Sequence, residues 1–272
     1  RNTRKITKTM KMVSARKMRR AQQMQKNADV FVNNMNNMFC GMALADYSES
    51  NPVMAARSSI RDILLVVFTS DRGLCGGFNN NLNKMVAKWI SGNNGKYGKI
   101  HLGFCGKRGY MYFKGSQDVR MNFEGVTVKP GYSDSRRISM VLQEAFVSGE
   151  YDEIYLAYNI FKSILSQKPV IEKLFPVKLP DPQGGGSGGR LIEPEMNEFV
   201  NFALPKLAAV HVYKALLNNA AGEHGARMNA MDNSTRNTDR LIDEYTLLRN
   251  RARQASITRE LIEVISGAEA LK

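Results

Sequence analysis

Between Lys206 and Lys272 the chain has no proline. Read as one α-helix at 1.5 Å per residue, this stretch would be roughly 100 Å long. Helices of globular domains usually run three or four turns. A compact domain cannot bury a helix of that length, so it needs a partner along its side. Met228, Met231, Thr235, Thr238, Ile242 and Tyr245 recur at steps of three and four, and the seam continues through Leu248, Ala252 and Ala255. Small residues on that seam let a neighbour approach closely. The remaining faces are polar, with Asp232, Asn233, Arg236, Asp239, Arg240, Asp243 and Glu244. Gly222 and Gly225 offer a break into two ordinary helices, whereas nothing interrupts the pattern from Ala226 to Gly267. An isolated helical glycine costs about 1 kcal/mol, which a long packed seam absorbs.

The other end of the chain carries a matching element. Proline is absent from Arg1 to Ala45. Ile6, Met10, Val13, Lys17, Ala21, Met24, Ala28, Phe31, Met35, Met38 and Met42 define a second seam, again at steps of three and four. As a helix it would be roughly 65 Å long. Methionine at many of these positions suits an adaptable contact rather than a rigid zipper. The helix is also a basic rod. Arg1, Arg4, Lys5, Lys8, Lys11, Arg16, Lys17, Arg19, Arg20 and Lys26 stand against Asp29 alone, a surplus of nine in a chain whose formal charge is +14.

Between the two seams the period changes. Ile63–Phe68 is a continuous apolar run, as in a strand buried on both faces. Lys99–Cys105, Glu153–Asn159 and the edge candidate Pro169–Leu174 read as further strands. Phe78–Ile90, Lys107–Phe113 and Ser135–Val147 read as helices. Strand and helix alternate, which predicts a Rossmann-like α/β domain with a parallel sheet. Pro180–Arg190 is a flexible linker by composition, and its GGGSGG core also has the look of an engineered insertion. The expected layout is an N-terminal long helix over 1–58, the α/β domain over 59–180, the linker over 181–193 and a C-terminal long helix over 194–272. The two terminal helices fold back on one another as an antiparallel coiled coil.

Signs of catalysis are weak. Thr69–Asn79 follows the first strand and opens a helix, where phosphates often bind. Its glycines, Gly73, Gly76 and Gly77, do not make GxGxxG, and the second strand ends Phe104-Cys105-Gly106 without an acidic ribose ligand. Gly103–Arg108 has too few residues between its glycines for a phosphate loop and no Ser or Thr after Lys107. Cys75 has no histidine near it in sequence and reads as a small residue filling a tight turn. The three cysteines, Cys40, Cys75 and Cys105, have neither CxxC nor metal-ligand spacing, which fits a reducing compartment. The reading is a non-enzyme with no cofactor and no metal. No apolar run approaches a membrane span. Arg1 is not an initiator methionine, so residues upstream are expected. Two other classes remain open at this point: a basic coiled-coil scaffold that binds nucleic acid, and an α/β enzyme using the Gly73–Gly77 loop. Against the first, the apolar seam runs straight through the basic stretch at Ile6, Met10 and Val13, which favours an acidic protein surface as the partner.

Four blocks bring these features together: Ile6–Val13, Ser70–Asn79, Arg227–Asn237 and Arg251–Ala268. In that order and spacing the chain resembles the γ subunit of F-type ATP synthases. It lacks the added cysteine pair of plastid members, so it is similar to the bacterial or mitochondrial type. The resemblance implies that the terminal helices form a curved shaft inside a ring of three α and three β subunits, one copy per complex. The α/β domain would stand below the ring and the foot would rest on the membrane-embedded c ring, beside ε (δ in mitochondria). Rotation of an asymmetric shaft would make the three catalytic sites unequal. The resemblance places the chain at the cytoplasmic face of a bacterial inner membrane, or on the matrix side of the mitochondrial one, touching the membrane only through the c ring. It implies β-subunit contacts for Arg253, Gln254, Thr258, Arg227, Arg72 and Cys75, and a c-ring foot near Leu191, Ile192 and Glu193. The shaft seam is expected at Ile6, Met10, Val13, Met231, Ile242 and Tyr245.

Overall fold

The structure is a computed structural model that describes residues 2–39, 51–178 and 195–270. The first helix, α1, spans Asn2–Phe39. The central domain follows as β1 (Asp62–Phe68), α2 (Phe78–Asn93), β2 (Lys99–Cys105), α3 (Lys107–Phe113), β3 (Val119–Phe123), α4 (Tyr132–Val147), β4 (Glu153–Phe161) and β5 (Gln167–Phe175). The last helix, α5, runs unbroken over Met196–Ala270. It passes through Gly222 and Gly225, so the two-helix alternative does not hold. It also begins ten residues before Lys206 and contains Pro205. Proline in a helix interior costs about 3 kcal/mol. Val200, Ala203, Leu204, Leu207 and Ala208 are all buried around it, and each fully buried Val or Leu side chain returns about 1.5–3 kcal/mol. Packing therefore overrides propensity in this segment.

The five strands lie in the order β3-β2-β1-β4-β5. The sheet is mixed: β2, β1 and β4 run parallel with β3, and β5 alone is antiparallel, paired with β4 across a short turn. Side chains of β1 alternate between two cores. Leu64, Val66 and Phe68 pack with Ile138 and Leu142 of α4 and Leu204 and Leu216 of α5. Leu65 and Val67 pack with Leu82 and Val86 of α2 and Phe113 of α3. Helices on both faces explain why β1 is apolar without alternation.

The long helices pair antiparallel. Arg4 meets Asp239, Thr7 meets Thr235, Lys11 meets Asp232, Gln25 meets Asn218, and Asp29 meets Lys214. Numbers rise on α1 as they fall on α5, in one constant register. The seam itself departs from expectation. The inner positions of α1 are Thr7, Ser14, Met18, Ala21, Ala28, Val32, Met35 and Phe39. Ile6 and Val13 face outward, 59% and 50% exposed, and Tyr245 on α5 is also exposed. Met231 is buried, and Met10 and Ile242 are half-buried. The reason is steric. Small residues let the helices approach, as where Ala21 packs on Ala220 and Ala221. The Thr7 and Thr235 hydroxyls lie 2.8 Å apart in the same interface. An Ala21→Leu variant should therefore lose about 1–3 kcal/mol by overpacking, read as a lower denaturant midpoint.

Beyond the contact of Arg4 with Asp239, α5 continues with no other helix beside it among the described residues. Every described side chain from residue 251 to 269 is exposed. Among the described residues, no helix is long and apolar enough to cross a membrane.

Candidate functional site: a loop clamped to the shaft

In a doubly wound sheet, ligands bind beyond the carboxyl ends of the strands, at the point where strand order reverses. Here that point lies between β1 and β4, and α5 runs across it. Asn219 Nδ2 donates to the Thr69 carbonyl, 3.1 Å, just past the end of β1. The Phe161 amide, at the end of β4, donates to Asn218 Oδ1, 3.2 Å. Gly222 brings the helix against the Phe78 ring at the start of α2: a Cβ there would lie 2.8 Å from it. A helix thus fills the crevice that a nucleotide occupies in a dinucleotide-binding sheet. The glycine ending β2 has a structural use as well. Gly106 has φ +106, and a Cβ on it would lie 2.3 Å from the Thr69 carbonyl oxygen, so only glycine lets this turn close on the first.

The loop after β1 is tied down from several sides. The Ser70 amide donates to Asn79 Oδ1 at 2.9 Å, and Asn79 Nδ2 donates to Ser70 Oγ at 2.7 Å. Asp71 accepts from the Lys107 amide at 3.0 Å and from the Thr127 hydroxyl at 2.7 Å. Cys75 is buried beneath, and burial pushes its thiol pKa up. It therefore stays a thiol at neutral pH, as suits a packing residue. Leu74, at the tip, has φ 62 and is 64% exposed.

Arg227 on α5 fastens this loop to the shaft. Its Nε donates to the Gly73 carbonyl at 3.2 Å, and Nη2 reaches the Gly73 and Arg72 carbonyls at 3.1 and 3.2 Å. Glu223, one turn back, pairs with it at 2.7 Å. Burial raises the Glu223 pKa, and Arg227 opposes that rise. His224 Nδ1 lies 3.3 Å from Arg227 Nη1. Burial, then the charges of Arg227 and Lys17, lower the His224 pKa to about 4, so the ring is neutral and can accept this bond.

Between α1, the loop and α5 opens a cleft of about 470 Å³. Met10, Val13 and Leu74 give it apolar walls, and Lys17, Arg72 and Arg108 reach it. These three cations form no ion pair among the described residues. The cleft is suited to an acidic, partly apolar surface.

The structure thus brings Arg72, Cys75 and Arg227 together. Of these only Arg72 is exposed; Cys75 and Arg227 are 2% and 7% exposed and offer a partner little surface. Both are expected as contacts, and within this chain both hold the loop from beneath. Arg253, Gln254 and Thr258 are all exposed, about 40 Å farther along α5 at 1.5 Å per residue. Leu191, Ile192 and Glu193 lie outside the described residues, as does the Pro180–Arg190 stretch. Sequence reasoning did not single out Glu223 or His224, and it took Lys17 for a seam position on the basic rod and Arg108 for part of a failed phosphate loop. The spacing of Glu223 and Arg227, one helical turn, was the available signal.

These features define a class: a two-helix shaft rooted in a doubly wound domain, with its longer helix projecting beyond the pair. A family model described as ATP synthase matches residues 1–271. The ATP synthase gamma chain of Geobacter sp. (strain M21) is 41% identical over 273 residues, covering all of this chain and 94% of that relative. That of Anaeromyxobacter sp. (strain Fw109-5) is 41% identical over 277 residues, covering all of this chain and 95% of the relative. The chain belongs to the ATP synthase gamma-chain family. The same fold occurs in the central stalk of the Tetrahymena thermophila mitochondrial ATP synthase, with TM-score 0.61 and 24% identity over 85% of this chain and 99% of that one. It occurs again in the Euglena gracilis mitochondrial ATP synthase rotor, with TM-score 0.54 and 17% identity over 94% of this chain and 99% of that one.

Proposed function

We infer that this chain is the central-stalk rotor subunit of a proton-translocating ATP synthase, passing torque between a c ring and a ring of three α and three β subunits. The observation that carries this reading is α5 itself. It would be about 110 Å long at 1.5 Å per residue, and its last turns present exposed side chains on every side. A helix with no neighbour among the described residues and with apolar side chains such as Tyr245, Leu248, Leu261 and Val264 exposed calls for an enclosing partner. The subunit is non-catalytic. Each orientation of an asymmetric shaft biases one β subunit through differential contact. The driving term is proton passage, about 2.3 kcal/mol per charge per 100 mV.

Two heights of contact with β follow. Arg253, Gln254 and Thr258 grip one β subunit near the top of the shaft. Arg72, with Leu74 beside it, meets an acidic β rim at the domain. Leu191, Ile192 and Glu193 belong near the c ring, with ε (or the mitochondrial δ) alongside. The chain works as one copy per complex on the cytoplasmic or matrix face, reaching the membrane through the c ring. Reconstitution tests the whole reading. Added to purified α and β subunits, the chain is expected to yield a one-to-three-to-three complex whose ATP turnover drives rotation of a bead fixed to the α/β domain. A chain that neither joins α and β nor rotates would refute it.

A further inference from the structure

All three nitrogens of the Arg227 guanidinium bond inside the chain: Nε and Nη2 to two carbonyls of the loop, Nη2 also to the Glu223 carboxylate, and Nη1 to the His224 ring. The two carbonyls belong to Arg72 and Gly73, the peptide units that carry one exposed cation and lead into Leu74. Leu74 has a left-handed backbone, which costs a non-glycine residue of order 1–3 kcal/mol and persists only when the surroundings fix it. The side chain so held is a leucine 64% exposed, so its own packing repays little of the strain. What fixes it is the Arg227 fork on the shaft side and the Ser70–Asn79–Cys75 bonds on the domain side.

We propose that Arg227 is a positioning residue: it touches no partner, and instead sets the pose in which Arg72 and Leu74 dock on the stator ring. The proposal rests on the rotor reading for what the loop docks against. The clamp itself depends only on this chain. It requires the guanidinium shape and not the charge alone, because the three donors of a lysine ammonium radiate from one atom and cannot span both carbonyls, Glu223 and His224 as the planar fork does. Its location has a mechanical consequence. Because the fork ties α5 to the loop, displacement of the docked loop is felt by the shaft at the level where the helix pair leaves the domain.

The bond between Arg72 and Gly73 is itself a trypsin site, and Arg227 holds its carbonyl. In the full chain, Arg227→Lys is expected to be nicked there at least tenfold faster than the parent, with unchanged far-ultraviolet circular dichroism. Arg227→Gln is expected to behave likewise and decides the matter should the lysine variant misfold. In the assembled complex, Arg227→Lys and the pair Arg72→Ala with Leu74→Ala should each slow ATP turnover. Combining all three should add less than a further twofold, since both act through one docked surface. An unchanged nicking rate in folded variants, or losses that multiply, would overturn the assignment. A parent chain that fails to join α and β would sink the rotor reading, while the nicking comparison still judges the clamp.

Discussion

Replacing Arg253 and Gln254 together by alanine is expected to leave the chain folded and able to assemble, and to cut ATP turnover of the complex by tenfold or more. Both side chains lie on a stretch of α5 where every residue is exposed, so no packing is lost within the chain. Alanine is the strongest helix former, so the helix should not weaken. Gln254 and Thr258 are one turn apart and share a face, and Arg253 flanks them. Arg249, Arg251 and Arg253 crowd one segment, which repels itself unless acidic groups on a partner face it. A charge-assisted hydrogen bond is worth about 1.5–3 kcal/mol. That biases one of three equivalent sites by tenfold or more, yet it can break at each step. The measurement is steady-state turnover and ATP-driven proton pumping of variant and parent complexes at equal subunit stoichiometry. Full synthesis by a normally assembled double variant would mean that the shaft acts through shape alone.

How much of this could be read from the sequence depended on where each side chain's partner lies. The run Ile63–Phe68 was legible because a strand buried on both faces needs no alternation. β3, with sequence VRMNF, was missed: it is a short edge strand whose Arg120 and Asn122 face solvent, and that pattern is weak over five residues. The 194–272 bounds for the last helix came close to the observed Met196 start, although the proline-free reading began only at Lys206: propensity sees Pro205 and not the sheet face that buries its neighbours. The expected seam on α1 shared Ala21, Ala28 and Met35 with the observed one but took Ile6 and Val13 for Thr7 and Ser14. Hydropathy identifies apolar positions without saying which chain covers them, and on a rotor shaft the apolar stripe and the intrachain seam need not coincide. The clamp was illegible for a different reason. Arg227 and its acceptors at Arg72 and Gly73 are 155 and 154 residues apart, and its acceptors are backbone carbonyls, which no side-chain pattern records.

Acidification should loosen the same joint. His224 is mostly buried, and its folded-state pKa is about 4 against 6.5 for a free imidazole, lowered by burial first and then by Arg227 and Lys17. Between those values the unfolded chain binds a proton that the folded chain refuses, so stability falls as pH falls from 6.5 to about 4. For His224 alone the loss amounts to roughly 3 kcal/mol. His211 on the buried stretch of α5 is lowered too, by burial first and then by Lys214, against an upward pull from Glu172, and it acts in the same sense. Glu223 is raised by burial, opposed by Arg227, and works in the other sense. Denaturant midpoints of the full chain are therefore expected to drop steadily between pH 6.5 and 4.5. In a His224→Gln variant the drop should be shallower, because an amide can accept from Arg227 without ever taking a proton. The loop should follow: nicking after Arg72 should quicken with acid in the parent and stay nearly level in the variant, with trypsin activity calibrated at each pH. Parallel slopes in the two proteins would mean that His224 does not carry the acid sensitivity of this joint.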